Sequence, residues 1–305
     1  MRNLFVKEFL KKYNKNKKTY FLTGDLGYSA FEGIQKKIKN RFINAGVGEN
    51  NMMGVASGIS IYGNKVFVYS IVPFLTFRCL EHIRNYICHN NLDVKLVGGG
   101  GGFSYNNQGI SHNTFEDIAM IRTLPNIKIY SPGTKNETIK AVNKLFSQKG
   151  PAYIRLGKVP KFDYKTNSDC EKAQEVFNGN KLIVFTTGNI IEDVASAVKS
   201  LNKLGYSIKL VSIITIKPLD DKYIKKQLSN FSKCITIEEN SSIGGLGTAI
   251  SDIISTTKSI KCKLKMLALK DKVHDEIGSQ RYLRLINGLG HLDILKKLKF
   301  YAKQQ

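Results

Sequence analysis

A single carboxylate stands out against a glycine-rich, apolar turn. The run Gly46-Val47-Gly48-Glu49-Asn50-Asn51-Met52-Met53-Gly54-Val55-Ala56-Ser57-Gly58 follows the short stretch Phe42-Ile43-Asn44, and Glu49 is its only charge. A carboxyl ringed by Gly, Met and Val at a strand-to-helix turn is partly desolvated and available for proton chemistry. The same position also suits an acidic residue that merely complements the dipole of its own helix. Other reactive groups follow in Arg78-Cys79-Leu80-Glu81-His82-Ile83-Arg84-Asn85 and Gln108-Gly109-Ile110-Ser111-His112. More lie in Phe115-Glu116-Asp117-Ile118-Ala119 and Gly150-Pro151-Ala152-Tyr153-Ile154-Arg155-Leu156-Gly157. A neutral imidazole such as His112 hydrogen-bonds hydroxyls or shuttles protons near neutrality, and it also serves as a packing residue. A guanidinium such as Arg155 grips phosphate oxygens in pairs, and it equally forms salt bridges at strand ends.

These groups need a scaffold, and the chain supplies β-rich runs alternating with helical stretches. Strands are expected at Tyr20–Thr23, Phe42–Asn44, Val66–Ser70, Val94–Gly98, Ile127–Tyr130 and Ala152–Arg155, with helices near 30–39, 49–61, 77–90, 115–122 and 134–148. That rhythm predicts a parallel sheet covered by helices on both faces. Ligands on such sheets gather beyond the C-terminal strand ends, and Asp25, Glu49, Phe74 and His112 all follow strands. From Lys158 to Asn180 the chain turns polar and loses periodicity. A second unit follows, with strands near 182–187, 207–213, 234–238 and 264–268. The fold class is α/β, with two domains that are each a mostly parallel sheet flanked by helices. Residues 1–157 form the first domain, 158–180 a linker and 181–305 the second. Gly244-Gly245-Leu246-Gly247 has neither the Lys-Ser/Thr of a phosphate loop nor the GxGxxG spacing, and reads as tight strand-to-helix packing.

The 305 residues carry 47 Lys and Arg against 24 Asp and Glu, a net charge of +23. Lys is scattered along the whole chain and no nucleic-acid-binding motif is recognisable, so the charge reads as a Lys-rich surface. Anionic substrates gain some steering from it. The five cysteines are odd in number and form no CxxC pair, which points to reduced thiols in the cytoplasm. No Cys/His spacing resembles a zinc site. Met1 to Lys18 is basic without a continuous apolar core, unlike a secretory signal. The longest apolar run, Val66 to Phe77, is broken by Tyr69, Ser70 and Pro73 and is too short to span a bilayer.

Taken in order, these motifs resemble the pyrimidine-binding domain of transketolase and its thiamine-diphosphate relatives. Leu124-Pro125-Asn126 belongs to the same set, while Ile216-Lys217-Pro218-Leu219-Asp220 and Glu238-Glu239-Asn240 resemble the family's C-terminal domain. The resemblance is nearest to the separate C-terminal subunit of split transketolases. It implies thiamine diphosphate as cofactor. In this family a Glu hydrogen-bonds N1′ of the aminopyrimidine, favouring a 4′-imino form that removes the C2 proton of the thiazolium. Glu49 matches that residue. Phe74 matches the ring that stacks on the aminopyrimidine, and Phe77 borders the same pocket. Asp25 matches an acidic residue near the cofactor and the dimer contact, although an Asp beside Gly also suits a plain turn. His112 matches a substrate-facing His, and Ser29 and Arg155 match positions that hold the substrate phosphate. The family binds Mg²⁺ and the diphosphate through Gly-Asp-Gly and a later Asn on a different domain, which Gly24-Asp25-Leu26 does not match. No metal ligands are therefore expected here, and the resemblance implies a partner chain carrying them in an α₂β₂ assembly with the site between chains.

Two departures bear on the substrate. Four residues before His112, transketolase has an Asp where this chain has Gln108, exchanging a charged acceptor for an amide. The run Gly98-Gly99-Gly100-Gly101-Gly102 replaces another substrate-facing His at Gly100, and predicts open space beside the cofactor and a mobile loop. Both point from ordinary pentose phosphates toward bulkier or differently oxidised sugars, nucleotide-linked ones included. The chain is expected to be one subunit of a two-chain enzyme that moves a two-carbon ketol unit between sugars. The beta subunit of a 2-oxoacid dehydrogenase or deoxyxylulose-phosphate-synthase-like enzyme is the alternative that Gln108 leaves open. A non-enzymatic, basic nucleic-acid-binding or regulatory protein is the third reading.

Overall fold

Parallel strands buried on both faces carry almost all of this chain's long-range order. The computed structural model describes residues 1–13, 18–27, 29–166 and 169–303. Residues 14–17 of the basic N-terminal stretch and 167–168 of the expected linker lie outside them. The strands are β1 (Thr19–Thr23), β2 (Phe42–Asn44), β3 (Lys65–Ile71), β4 (Val94–Gly99), β5 (Lys128–Tyr130) and β6 (Ala152–Leu156). There follow β7 (Gln174–Phe177), β8 (Leu182–Thr187), β9 (Ile208–Ser212), β10 (Thr215–Lys217), β11 (Lys233–Ser241) and β12 (Lys263–Leu269). One sheet has the order β10-β5-β6-β4-β3-β1-β2 and is parallel except for β10, which runs against β5. The other has the order β12-β11-β8-β9-β7 and is parallel except for β7. All seven residues of β3 are buried, so it reads as a continuous apolar run with no alternation. The expected fold class, two mostly parallel sheets flanked by helices, is the one observed.

Four helices frame the strand ends that matter below: α1 (Arg2–Tyr13), α2 (Glu32–Ile38), α3 (Glu49–Ile61) and α4 (Val72–Thr76). The basic N-terminal stretch is therefore structural. Phe5, Phe9 and Tyr13 of α1 are buried, and Phe9 meets Phe67 and Phe21 nearly edge-on with ring centroids at 5.1 and 5.5 Å. Among the described residues, no helix is long and apolar enough to cross a membrane.

Three expectations change. In place of the helix expected over 77–90 there is a short turn at Leu80–His82 and a wide π-type turn at Ile83–Cys88, preceded by α4. Pro73 moves the start earlier, because its fixed φ and missing N–H suit a first helical turn. The stretch expected as linker contains β7, an edge strand of the second sheet. Finally, β10 leaves the second half of the chain to extend the first sheet, where Lys217 donates to the carbonyl of Arg122 at 2.8 Å. Both strands are short and sit at sheet edges, so neither carries a strong hydrophobic period.

Replacing Phe9 with alanine should lower the unfolding free energy by about 3–5 kcal/mol. Urea unfolding of the purified chain checks this. A loss below about 1 kcal/mol would mean that α1 is not part of the cooperative core.

Candidate active site

Glu49 is the first residue of α3, and only 1% of it is exposed. Its helix caps the parallel strands where β1 and β3 end. Ser70, near the end of β3, donates to its Oε1 at 3.1 Å, and Arg78 donates to its Oε2 at 2.5 Å. Gly24 follows β1 against the same carboxylate, and a Cβ there would lie 3.2 Å from Oε1. The dipole of α3 favours a negative charge at this spot, but the side chain does more than complement it. It is a buried carboxylate held by one hydroxyl and one guanidinium. Beside it, burial, and secondly the Glu49 charge, push the Cys79 thiol up to about 12, so Cys79 is a packing group and not a nucleophile.

Phe74 lies on α4, and its ring meets that of His112 edge-on with centroids 5.2 Å apart. His112 in turn lies 5.6 Å from the ring of Tyr105, and its Nδ1 is 2.9 Å from the Ser111 hydroxyl. The Arg78 guanidinium sits over Phe74, 4.6 Å from the ring centroid. One cluster therefore gathers Glu49, Phe74 and His112 with Arg78 and Tyr105. A flat N–H donor fits between Phe74 and Glu49, since a guanidinium already makes both contacts. An aminopyrimidine would be flat in the same way, and its ring nitrogen would pair with the Glu49 carboxyl when one of the two carries the proton.

The remaining expected residues lie around or away from this cluster. Phe77 is 40% exposed, at the break after α4. Gln108 is exposed on the segment leading to His112. Asp25 is exposed at φ 56° and exchanges two hydrogen bonds with Asn44, at 2.8 and 3.0 Å. It closes the turn after β1 against the end of β2. Ser29 is also exposed, and its backbone N–H donates to Glu32 at 2.6 Å, at the start of α2.

Arg155 is different. It is 7% exposed and donates to Asp117 at 2.8 Å, to the carbonyl of Thr114 at 2.9 Å and to that of Glu239 at 3.4 Å. Its Nε and NH2 groups are bonded inside the protein, which supports the salt-bridge reading over the phosphate-binding one.

The glycine run also departs from expectation. A Cβ at Gly99 would come within 2.4 Å of the Tyr69 hydroxyl, at Gly100 within 1.9 Å of Tyr105, and at Gly101 within 2.5 Å of Arg155 Nε. At Gly102, with φ +66°, it would meet Glu239 Oε1 at 2.1 Å. Side chains pack against these glycines, while Gly99 and Gly100 also line a cavity. The glycines allow Tyr69, Tyr105, Arg155 and Glu239 to close on the backbone. Glu239 also accepts from the N–H of Phe103 at 2.8 Å and pairs with Arg284, which pins the loop.

A cavity of about 350 Å³ lies on the other side of that loop, lined by Arg2, Tyr69, Gly100, Tyr105 and Lys158 among others. Burial raises the pKa of both tyrosines, so their hydroxyls stay protonated as donors. Tyr105 joins this cavity to His112. Sequence reasoning missed Arg2, Tyr105 and Arg78 as site residues. Arg78 carries a signal only as one member of a motif, and a basic residue at position 2 carries no local signal of facing a cavity.

Residues 1–159 match the family described as transketolase, pyrimidine binding domain, and residues 171–281 match transketolase, C-terminal domain. A Methanocaldococcus jannaschii protein named as a transketolase C-terminal section is 31% identical over 275 residues, covering 88% of this chain and 85% of that one. One of the subunits of the apulose-4-phosphate transketolase of Phocaeicola vulgatus is 29% identical, covering 83% of each chain. A solved structure described as "Split gene transketolase, inactive beta4 tetramer" superposes with a TM-score of 0.88 at 28% identity, covering 99% of this chain and 97% of that chain.

Asp117→Ala should remove the counter-charge of a buried guanidinium and cost roughly 3–5 kcal/mol of stability. Thermal unfolding tests this, and an unchanged midpoint would show that Arg155 reaches solvent after all.

Proposed function

Because the chain belongs to the transketolase family, we propose that it is one subunit of a two-chain enzyme that moves a two-carbon ketol unit between sugars with thiamine diphosphate. The observation that carries the reading is the buried Glu49 carboxylate set beside the Phe74 face, with His112 at the edge of that ring. Thiamine diphosphate, when bound, supplies the nucleophilic carbon and the electron sink for the transfer. Glu49, which is 1% exposed, would hold the ring nitrogen of its aminopyrimidine. Phe74 would offer its face to that ring, and Phe77 would border it. His112 hydrogen-bonds a sugar hydroxyl and moves a proton there. Gln108 contributes an amide to the same sugar, and Asp25 and Ser29 shape the rim toward a neighbouring chain.

The substrate we infer is an anionic sugar. Arg2 and Lys158 line the cavity that Tyr105 joins to His112, and they suit a phosphate or comparable group. Arg155, buried and paired with Asp117, is left out of this binding in our reading. Gln108, and the cavity wall formed by Gly99 and Gly100, are the features that argue for an unusual sugar.

Among the described residues, no three His, Cys, Asp or Glu are grouped to hold a metal ion. We assign Mg²⁺ and the diphosphate to a partner chain that carries the Gly-Asp-Gly domain, in an α₂β₂ assembly. Similar proteins that are themselves named as one subunit of a transketolase, or as the product of a split gene, support a separate partner. The first domain is taken to end near 157, and the second to begin with β7. Five free, buried cysteines suit a reducing, cytoplasmic setting.

Co-purified with that partner, the chain should transfer ketol units from phosphorylated ketoses. Glu49→Gln should lower kcat at least about 100-fold, and His112→Ala by roughly 10- to 100-fold. Steady-state kinetics with a donor panel checks both. Full activity in Glu49→Gln would overturn the reading.

A further inference from the structure

Arg78 stands in an unusual place. Its guanidinium covers Phe74, with Cζ 4.6 Å from the ring centroid, and its NH1 lies 2.5 Å from Glu49 Oε2. One flat cation thus makes both contacts that the proposed function assigns to the aminopyrimidine, stacking on Phe74 and hydrogen bonding to Glu49. Two flat groups cannot share one ring face and one carboxylate oxygen. The two residues of the ion pair also differ in freedom. The Glu49 side chain is 1% exposed and the Arg78 side chain 42%. Arginine therefore reaches in from solvent and can leave without unpacking the core, whereas the carboxylate cannot follow it. Local backbone permits the motion. Arg78 lies between α4 and the turn at Leu80–His82, and its own N–H makes only a long 3.4 Å bond to the Pro73 carbonyl.

We propose that Arg78 is a built-in occupant of the cofactor slot, holding Glu49 and covering Phe74 in the free subunit and swinging out to admit the aminopyrimidine. The inference rests on the proposed function. Its physical basis is the cost of a buried carboxylate without a counter-charge. A subunit that waits for both a partner and a cofactor must keep Glu49 paired, and Arg78 does so with a side chain anchored only at its tip. The apparent cofactor affinity is then reduced by the fraction of molecules in which the slot is filled.

The test uses the chain co-purified with its partner, titrated calorimetrically with thiamine diphosphate in excess Mg²⁺. Arg78→Leu removes the occupant and should tighten binding about tenfold if the slot is filled in nine molecules of ten. That variant leaves Glu49 without a counter-charge and can fail to fold, so Arg78→Lys is measured beside it. Lysine keeps the charge but loses the flat stacking face, and should also bind more tightly than wild type. A structure of the pair with thiamine diphosphate should find the Arg78 guanidinium beyond hydrogen-bonding reach of Glu49. Equal or weaker binding in the Arg78 variants, or Arg78 still on Glu49 in the loaded structure, overturns the inference. Glu49→Gln separates the two claims. If it weakens binding while the Arg78 variants gain nothing, only the inference fails. If the wild-type pair binds no thiamine diphosphate, or Glu49→Gln binds like wild type, the proposed function fails and the inference with it.

Discussion

Four charged side chains out of reach of water join the two sheets, and the position of the candidate site follows from them. Arg155 on β6 and Asp117 form one buried pair, and Glu239 on β11 and Arg284 form the other. The Glu239 carbonyl accepts from Arg155, so the two pairs meet at Glu239. Removing one partner from such a network strands a charge in a low-dielectric interior. The glycine run passes between Arg155 and Glu239 at contact distance, where any side chain would collide. The backbone from Gly98 to His112 hangs from that clamp. The edge-on contact of His112 with Phe74 is thus held in part from the second sheet, although neither residue belongs to it.

The chemistry at the strand ends has a simpler origin. Parallel strands bring small residues, Gly24 and Ser70, to the same edge, and α3 begins there with its acidic residue pointing inward. A carboxylate in such a crevice must have donors. The chain offers one hydroxyl at fixed distance and one movable guanidinium, and the difference between them is functional. Ser70 is entirely buried and stays, whereas Arg78 is half in solvent and is free to exchange.

The strong positive charge finds a local use as well. Most of the 47 basic residues are dispersed over the surface. Arg2 and Lys158 instead face one cavity with the buried Tyr69 and the half-buried Tyr105, whose hydroxyls remain protonated. Donors of this kind suit an anionic group, and Tyr105 links the cavity to His112.

Much of this was legible along the chain. Continuous apolar runs marked β3, β4 and β8 within a residue or so, the glycine-flanked Glu49 marked the start of α3, and the ordered motifs marked the family. These signals are local: a strand buried on both faces, a turn that needs glycine, a helix that begins with an acid. What only the tertiary structure decided are pairings between distant residues. Arg155 meets Glu239 across 84 positions, and Phe103 meets it across 136. No periodicity records such contacts, so the sequence left Arg155 free to bind phosphate and the glycines free to open a loop. The edge strands β7 and β10 escaped for a related reason. They are three or four residues long and owe their structure to the strands beside them. The sequence determined which groups could react and which elements carry them. The folded chain decided which charges are neutralised inside, because burial, and not residue type, sets whether a charge must find a partner.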